Sequence, residues 1–168
     1  LLAQSRSADV SYVWDGLWAA CADNGSIAIQ GNYAFFANYY GLMVADISDP
    51  ANPHFVSQVN ISGNGKKIVL SEDGKYVYWG GGYGGVSIVD IQDPLNPQIV
   101  GHYLSEIEGV RAEVRDISCE GNKVYFVHNP YHKRFGRVEV LDVSEPANPS
   151  LLGFYDVAEE AVSYTHLT

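Results

Sequence analysis

The sequence predicts an all-β fold in which about three equivalent four-stranded sheets stack face to face around a common axis. Three observations carry the prediction. One pattern of segments recurs three times, its strands are apolar on both faces, and no stretch of useful length shows the 3.6-residue period of a helix.

The repeat is visible residue by residue. Gly31-Asn32-Tyr33-Ala34-Phe35-Phe36 is followed by Gly41-Leu42-Met43-Val44-Ala45-Asp46-Ile47 and by Asp49-Pro50-Ala51-Asn52-Pro53. The order returns as Gly74-Lys75-Tyr76-Val77-Tyr78-Trp79, Gly85-Val86-Ser87-Ile88-Val89-Asp90-Ile91 and Asp93-Pro94-Leu95-Asn96-Pro97. It returns again from Gly121 through Phe126, from Gly136 through Val143, and in Glu145-Pro146-Ala147-Asn148-Pro149. Asp46, Asp90 and Asp142 each stand seven residues before Pro53, Pro97 and Pro149. Asp46 and Asp90 are 44 residues apart and Asp90 and Asp142 are 52, the extra length being assigned to loops at Leu104–Arg115 and His128–Phe135.

Each copy divides into four short strands. The first is Ile27-Ala28-Ile29, Ile68-Val69-Leu70 or Ile117-Ser118-Cys119. A glycine-bearing turn leads to an aromatic second strand, because glycine supplies the positive φ a tight hairpin requires. The third strand ends at the repeated Asp. The following proline corner stops the ladder, since Pro fixes φ and has no N–H to donate. The repeated carboxylates are read as structural, accepting backbone N–H groups within that corner. The fourth strand is Phe55-Val56, Ile99-Val100 or Leu151-Leu152.

Along Tyr33–Ala37 and Val86–Ile91 apolar residues occupy both faces, so these sheets need cover above and below. With no helices to provide it, other sheets must, and radially repeated four-stranded sheets make a β-propeller. A β-sandwich or a solenoid is the alternative. Residues 41–53 and 85–97 resemble the LVIVD repeat of bacterial and archaeal β-propeller proteins, and the likeness extends over about residues 10 to 157. The third copy departs from it at Glu145 and at the Tyr131–Phe135 insertion. The resemblance implies a propeller and an extracytoplasmic location (secreted, periplasmic or cell surface); it implies no particular reaction.

The expected organisation is a partial propeller over residues 10–157, an incomplete ring with blades at about 26–58, 66–103 and 115–155. Propellers use about four to eight blades, so the missing blades of a longer chain are expected partners. Val10-Ser11-Tyr12 precedes Gly31 by 21 residues, as Val100 precedes Gly121, so residues 10–14 read as an extra outer strand. Residues 1–9 read as a tail or signal-peptide remnant. Residues 158–168 read as a non-native or disordered tail, because 162–168 continue no repeat and resemble the translation of a sequencing adapter.

Composition agrees with a turn-rich β-protein: of 168 residues, 17 are Gly, 12 Tyr and 7 Pro. A formal charge of −10, with no basic track, argues against a nucleic-acid partner. No apolar run approaches the roughly 18 residues of a membrane span. Cys21 and Cys119 make no disulfide framework and read as small apolar side chains.

Ligands are expected at the end formed by the connections between second and third strands and between blades. Trp14, Trp18, Tyr39, Tyr40, Tyr83, Arg115, His128, Tyr131 and His132 gather there, suiting a protein or glycan ligand. His128 and His132 are four apart, but Asn129-Pro130 forbids the helix that would align them, so no metal is assigned. The acidic run Glu106, Glu108, Glu113 and Asp116, with Arg111 and Arg115, reads as a solvated loop with local ion pairs. No catalytic residue and no cofactor is assigned. The expectation is a non-enzymatic binding or scaffold module, with a propeller-based hydrolase or lyase acting at the central channel as the alternative.

Overall fold

In the computed structural model the described residues are 26–38, 40–63, 65–81, 85–107, 109–130 and 136–157. They form three antiparallel sheets and no helix. The first sheet has the order β1 (Ile27–Gln30), β2 (Tyr33–Asn38), β3 (Gly41–Asp46), β4 (His54–Asn60). The second repeats it with β5 (Gly65–Leu70), β6 (Tyr76–Gly81), β7 (Gly85–Asp90) and β8 (Gln98–Tyr103). The third adds a short edge strand: β9 (Glu106–Ile107), β10 (Val110–Glu120), β11 (Lys123–Pro130), β12 (Gly136–Asp142), β13 (Ser150–Val157). The sheets are the blades of a β-propeller that does not close into a ring among the described residues.

The local chemistry explains the strand ends. Gly31, Gly74 and Gly121 hold φ of +56°, +69° and +53° in the turns from first to second strand, where a side chain would strain the backbone. At the end of each third strand the repeated Asp folds back on the chain. Asp46 Oδ1 accepts the Ser48 N–H (2.7 Å), Asp90 Oδ1 that of Gln92 (2.9 Å) and Asp142 Oδ1 that of Ser144 (2.8 Å). The next four residues close a turn, with Asn52, Asn96 and Asn148 N–H donating to the carbonyls of Asp49, Asp93 and Glu145 and with Pro at its second position. Beyond the corner, each fourth strand carries a bulge at one equivalent place. The register slips between Val44 and Ala45, between Ile88 and Val89, and between Val140 and Leu141. One extra residue (Val56, Val100 or Leu152) sits there and bends the outer strand.

The core lies between the sheets. Phe35, Ala37, Leu42 and Val44 of the first blade pack on Ile68, Val77, Trp79, Val89 and Ile91 of the second. The other face of the second blade, through Tyr78, Val86 and Ile88, packs on Val114, Ile117, Val124, Phe126 and Leu141 of the third. Alternation along β6 and β7 therefore sends successive side chains into two different interfaces, both buried. The same positions at the two ends of the stack stay open: Ile27 is 65 % exposed, whereas its equivalents Ile68 and Ile117 are 7 % and 8 % exposed. Tyr155 and Val157 are likewise exposed on the third blade.

The segment expected as a loop at Leu104–Arg115 is instead partly ordered as strand. Gly109 turns the chain with φ +75°, β9 pairs with the start of β10, and β10 and β11 stay paired out to Ala112 and Pro130. The extra residues of the third copy thus lengthen one hairpin. Val114, fully buried, anchors it against the second blade. The expected outer strand at 10–14, the N-terminal tail and the tail at 158–168 lie outside the described residues, as does Cys21. Cys119 is a free, half-buried thiol whose Sγ–H donates to the Leu70 carbonyl across the blade interface (3.0 Å).

Fourth strands also meet the next blade's corner. Ser57 Oγ donates to the Pro94 carbonyl at 2.6 Å, and at the equivalent Gly101 any Cβ would overlap the Pro146 carbonyl oxygen. The third equivalent, Gly153, has open space at that point. Gly101→Ala is therefore expected to destabilise the chain by about 1–3 kcal/mol through overpacking, and Gly153→Ala to change it little. Urea unfolding midpoints of the two variants check this.

Candidate functional site

Because the strands run up and down, the connections from second to third strand and from blade to blade share one end of the stack. Among the described residues that end carries Tyr40 and Arg115, both exposed. Arg115 Nε donates to Asn129 Oδ1 (2.7 Å) and its Nη2 pairs with Glu113 Oε2 (2.9 Å). The other Glu113 oxygen meets Lys66 Nζ at 3.5 Å, which ties the third blade to the second. Asp116 accepts the Ile117 N–H (3.1 Å). Trp14, Trp18, Tyr39, Tyr83, Tyr131 and His132 lie outside the described residues, as does Glu108.

His128 is not on this open rim. It faces the second blade from the end of β11, 1 % exposed, with its ring stacked on Phe126 at 5.2 Å between centroids. The β11–β12 register sets Phe126 opposite Glu139 and His128 opposite Arg137, so all four share one face. Glu139 is also buried. Its Oε1 meets His128 Nε2 at 3.2 Å and accepts the Ser105 hydroxyl at 2.9 Å, and the same hydroxyl lies 3.2 Å from His128 Nε2. Arg137 completes the group. It is 3.8 Å from Glu139, makes a two-pronged pair with Asp156 (2.6 and 3.1 Å) and lies 3.9 Å above the Phe154 ring.

The charges follow from these contacts. Burial pushes the Glu139 carboxyl up, but hydrogen bonds from His128 and Ser105, with the positive charge nearby, outweigh it and leave the group below its ordinary value. Tyr103, on β8 of the second blade, is pushed up to about 12 by burial and then by the neighbouring Glu139 carboxylate. Asp156 is lowered, first by its hydrogen bond from Arg137. Among the described residues, the buried His128 Nδ1 and Glu139 Oε2 find no hydrogen-bond partner.

Ser105, His128 and Glu139 are the residue types of a nucleophile relay, but the geometry is different. A relay places the acid on one ring nitrogen and the nucleophile on the other. Here both meet Nε2, and the hydroxyl donates to the carboxylate itself. The cluster joins two blades. The same third-strand position holds Met43 in the first blade, beside Asn38 Nδ2 at 2.7 Å, and Ser87 in the second, whose hydroxyl is 3.1 Å from His102 Nδ1. Glu139 and Ser105 were not singled out in the sequence, although a carboxylate where the other copies carry Met and Ser is a readable signal.

Among the described residues no group of three or more metal-ligating side chains is present, and no helix is long and apolar enough to cross a membrane.

The geometry is that of a β-propeller repeat protein, and comparison with known proteins agrees. The LVIVD repeat model matches residues 23–61, 62–105 and 135–157, well over half of the chain, so the chain belongs to the LVIVD-repeat family. No curated protein sequence matches it. Of solved structures, the Cps50 (Swd1) β-propeller domain of Myceliophteria thermophila is similar, with 13 % identity and a TM-score of 0.60 over 92 % of this chain and 47 % of that one. A chain of a nidogen/laminin complex is similar with 11 % identity and a TM-score of 0.51 over 79 % of this chain and 48 % of that one. The chain thus spans about half the length of these two structures. At such identities the likeness is one of fold.

The lowered Glu139 group sets a pH dependence. A carboxyl lowered in the folded state contributes stability above its unfolded value, about 4.3, and gives it up as pH falls through the folded value. Glu139→Gln is expected to cost about 1–3 kcal/mol at neutral pH, and the difference from the parent chain is expected to shrink as the solution is acidified. Urea unfolding at a series of pH values measures it.

Proposed function

We propose that the chain is a non-enzymatic LVIVD-repeat module that binds a protein or glycan, or serves as a scaffold, within a secreted or cell-surface protein. The observation that carries this reading is how the polar groups are distributed. Those with catalytic potential are sealed between the second and third blades, while the exposed rim above them is held by Lys66, Glu113, Arg115 and Asn129. A rim fixed by lateral pairs on rigid strands presents side chains at low entropic cost, which favours recognition. One structure of similar fold comes from a complex of nidogen with laminin, so protein recognition is the first class to test. The extracytoplasmic setting rests on the family resemblance. In the same reading, further blades of the same kind cover the free faces at Ile27 and Ile29 and at Tyr155 and Val157, as blades cover the equivalent positions inside the stack.

One observation favours the second reading, a propeller-based hydrolase or lyase: Ser105, His128 and Glu139 do converge, with two buried polar atoms left over. The two readings separate in one experiment. Binding to arrays of extracellular-matrix proteins and glycans is measured for the parent chain, for Tyr40→Ala/Arg115→Ala and for His128→Ala, alongside turnover of chromogenic esters and glycosides. The module reading expects a binding signal that falls at least about fivefold in the rim variant, an effect of about 1 kcal/mol, with no turnover. Turnover abolished by His128→Ala would establish the enzyme instead.

A further inference from the structure

The other end of the stack holds a cavity of about 340 Å³, where the turns from first to second strand and the proline corners gather. It lies between the second and third blades. The Ser71–Lys75 turn forms one wall, and Gly121-Asn122 together with the Val143–Pro146 corner forms the other. That volume falls within the span of about 300–1,000 Å³ usual for small-molecule sites.

Its lining is built rather than incidental. Glu72 crosses from one wall to the other to accept the Gly121 N–H at 2.9 Å. Asp73 Oδ1 accepts the Ser71 hydroxyl (2.8 Å) and the Lys75 N–H (3.1 Å), and its Oδ2 pairs with Lys75 Nζ at 3.0 Å. These bonds, that from Lys75 first, hold the Asp73 carboxyl down to about 2. Ser144 on the opposite wall is tied to Asp142. At the base is Tyr78. It is 3 % exposed, lies in the blade interface and lines the cavity, and among the described residues no hydrogen bond reaches its hydroxyl. Burial raises this phenol to about 12, with Cys119 and Asp73 adding to the effect, so it remains a donor at any physiological pH.

We propose that this cavity binds a neutral saccharide, a hexose or hexosamine unit, with Tyr78 donating to or accepting from a sugar hydroxyl at its floor. The charges select against the other classes. Glu72 and Asp73 repel an anion, and Lys75 already neutralises Asp73, which weakens the pull on a cation. What remains is a ring of mixed hydrogen-bonding groups: carboxylate acceptors on Glu72 and Asp73, donors on Lys75 and Asn122, the hydroxyls of Tyr76 and Tyr78 that do both, and the Ser144 oxygen, which can accept while its proton goes to Asp142. Sugar hydroxyls, each donor and acceptor at once, match such a lining. The site lies at the opposite end from the Arg115 rim and stands or falls independently of it.

Saturation-transfer NMR on the full chain, with glucose, galactose, mannose and N-acetylglucosamine as separate probes, tests the proposal. Choline and inorganic phosphate serve as the cationic and anionic comparisons. At least one sugar is expected to bind, and Tyr78→Phe, which keeps the buried ring, is expected to weaken that sugar roughly 2- to 10-fold. Asn122→Ala, on the surface turn, provides a second variant that leaves the core untouched, and thermal unfolding confirms that both fold. The proposal is overturned if no sugar binds, if choline or phosphate binds in preference, or if sugar binding is unchanged in both variants.

Discussion

Everything in this molecule depends on sheets that must be buried on both faces. The strand β7 places Val86 and Ile88 in one interface and Val89 in the other, joined there by Ile91 just past its end, so the middle sheet needs a neighbour on each face. Close approach of the blades then fixes the remaining details. The corner of each blade closes over the fourth strand of the one before it, and Gly101 leaves no room there for a side chain. Ser57 meets the same constraint by donating a hydrogen bond instead of yielding space.

Much of this fold was legible because the repeat reports the same physics three times. Proline corners, turn glycines and two-sided apolar strands are local signals, and their seven-residue spacing from Asp to Pro leaves little freedom. Three features were not legible in the same way. The bulges at Val56, Val100 and Leu152 follow from adjacent apolar residues that break the two-residue alternation, a signal the strand pattern absorbs without notice. The β9–β10 hairpin arose where a run of mixed charge, Glu106 to Asp116, reads as a loop, although Val110 and Val114 sit on alternate positions within it. The third feature is the polar cluster, whose members Ser105, His128, Arg137 and Asp156 come from separate strands and connections and meet only through register.

That cluster shows how one position in a repeat can serve different ends. Met43, Ser87 and Glu139 occupy equivalent places, yet the first sits beside an amide, the second beside the imidazole of the exposed His102 and the third in a buried ionic network. Burial lowers the pKa of His102 in the second blade, with Arg111 adding to it. A buried carboxylate persists in the third blade because Ser105, His128 and Arg137 surround it, and removing any one of them would leave the buried charge less well compensated. The two ends of the stack are chemically distinct as a result. One is a rim braced by lateral ion pairs above a sealed network, and the other is an open polar cavity with the buried Tyr78 among its lining.

Amide hydrogen exchange of the native chain tests the central claim most directly. If the three sheets lie face against face with the second in the middle, backbone amides of β6 and β7 exchange most slowly, and those of β12 and β13, whose outer face is open, exchange faster. Equal or greater protection in β12 and β13 would contradict the stacked arrangement from which the fold, the sealed cluster and the cavity are all derived.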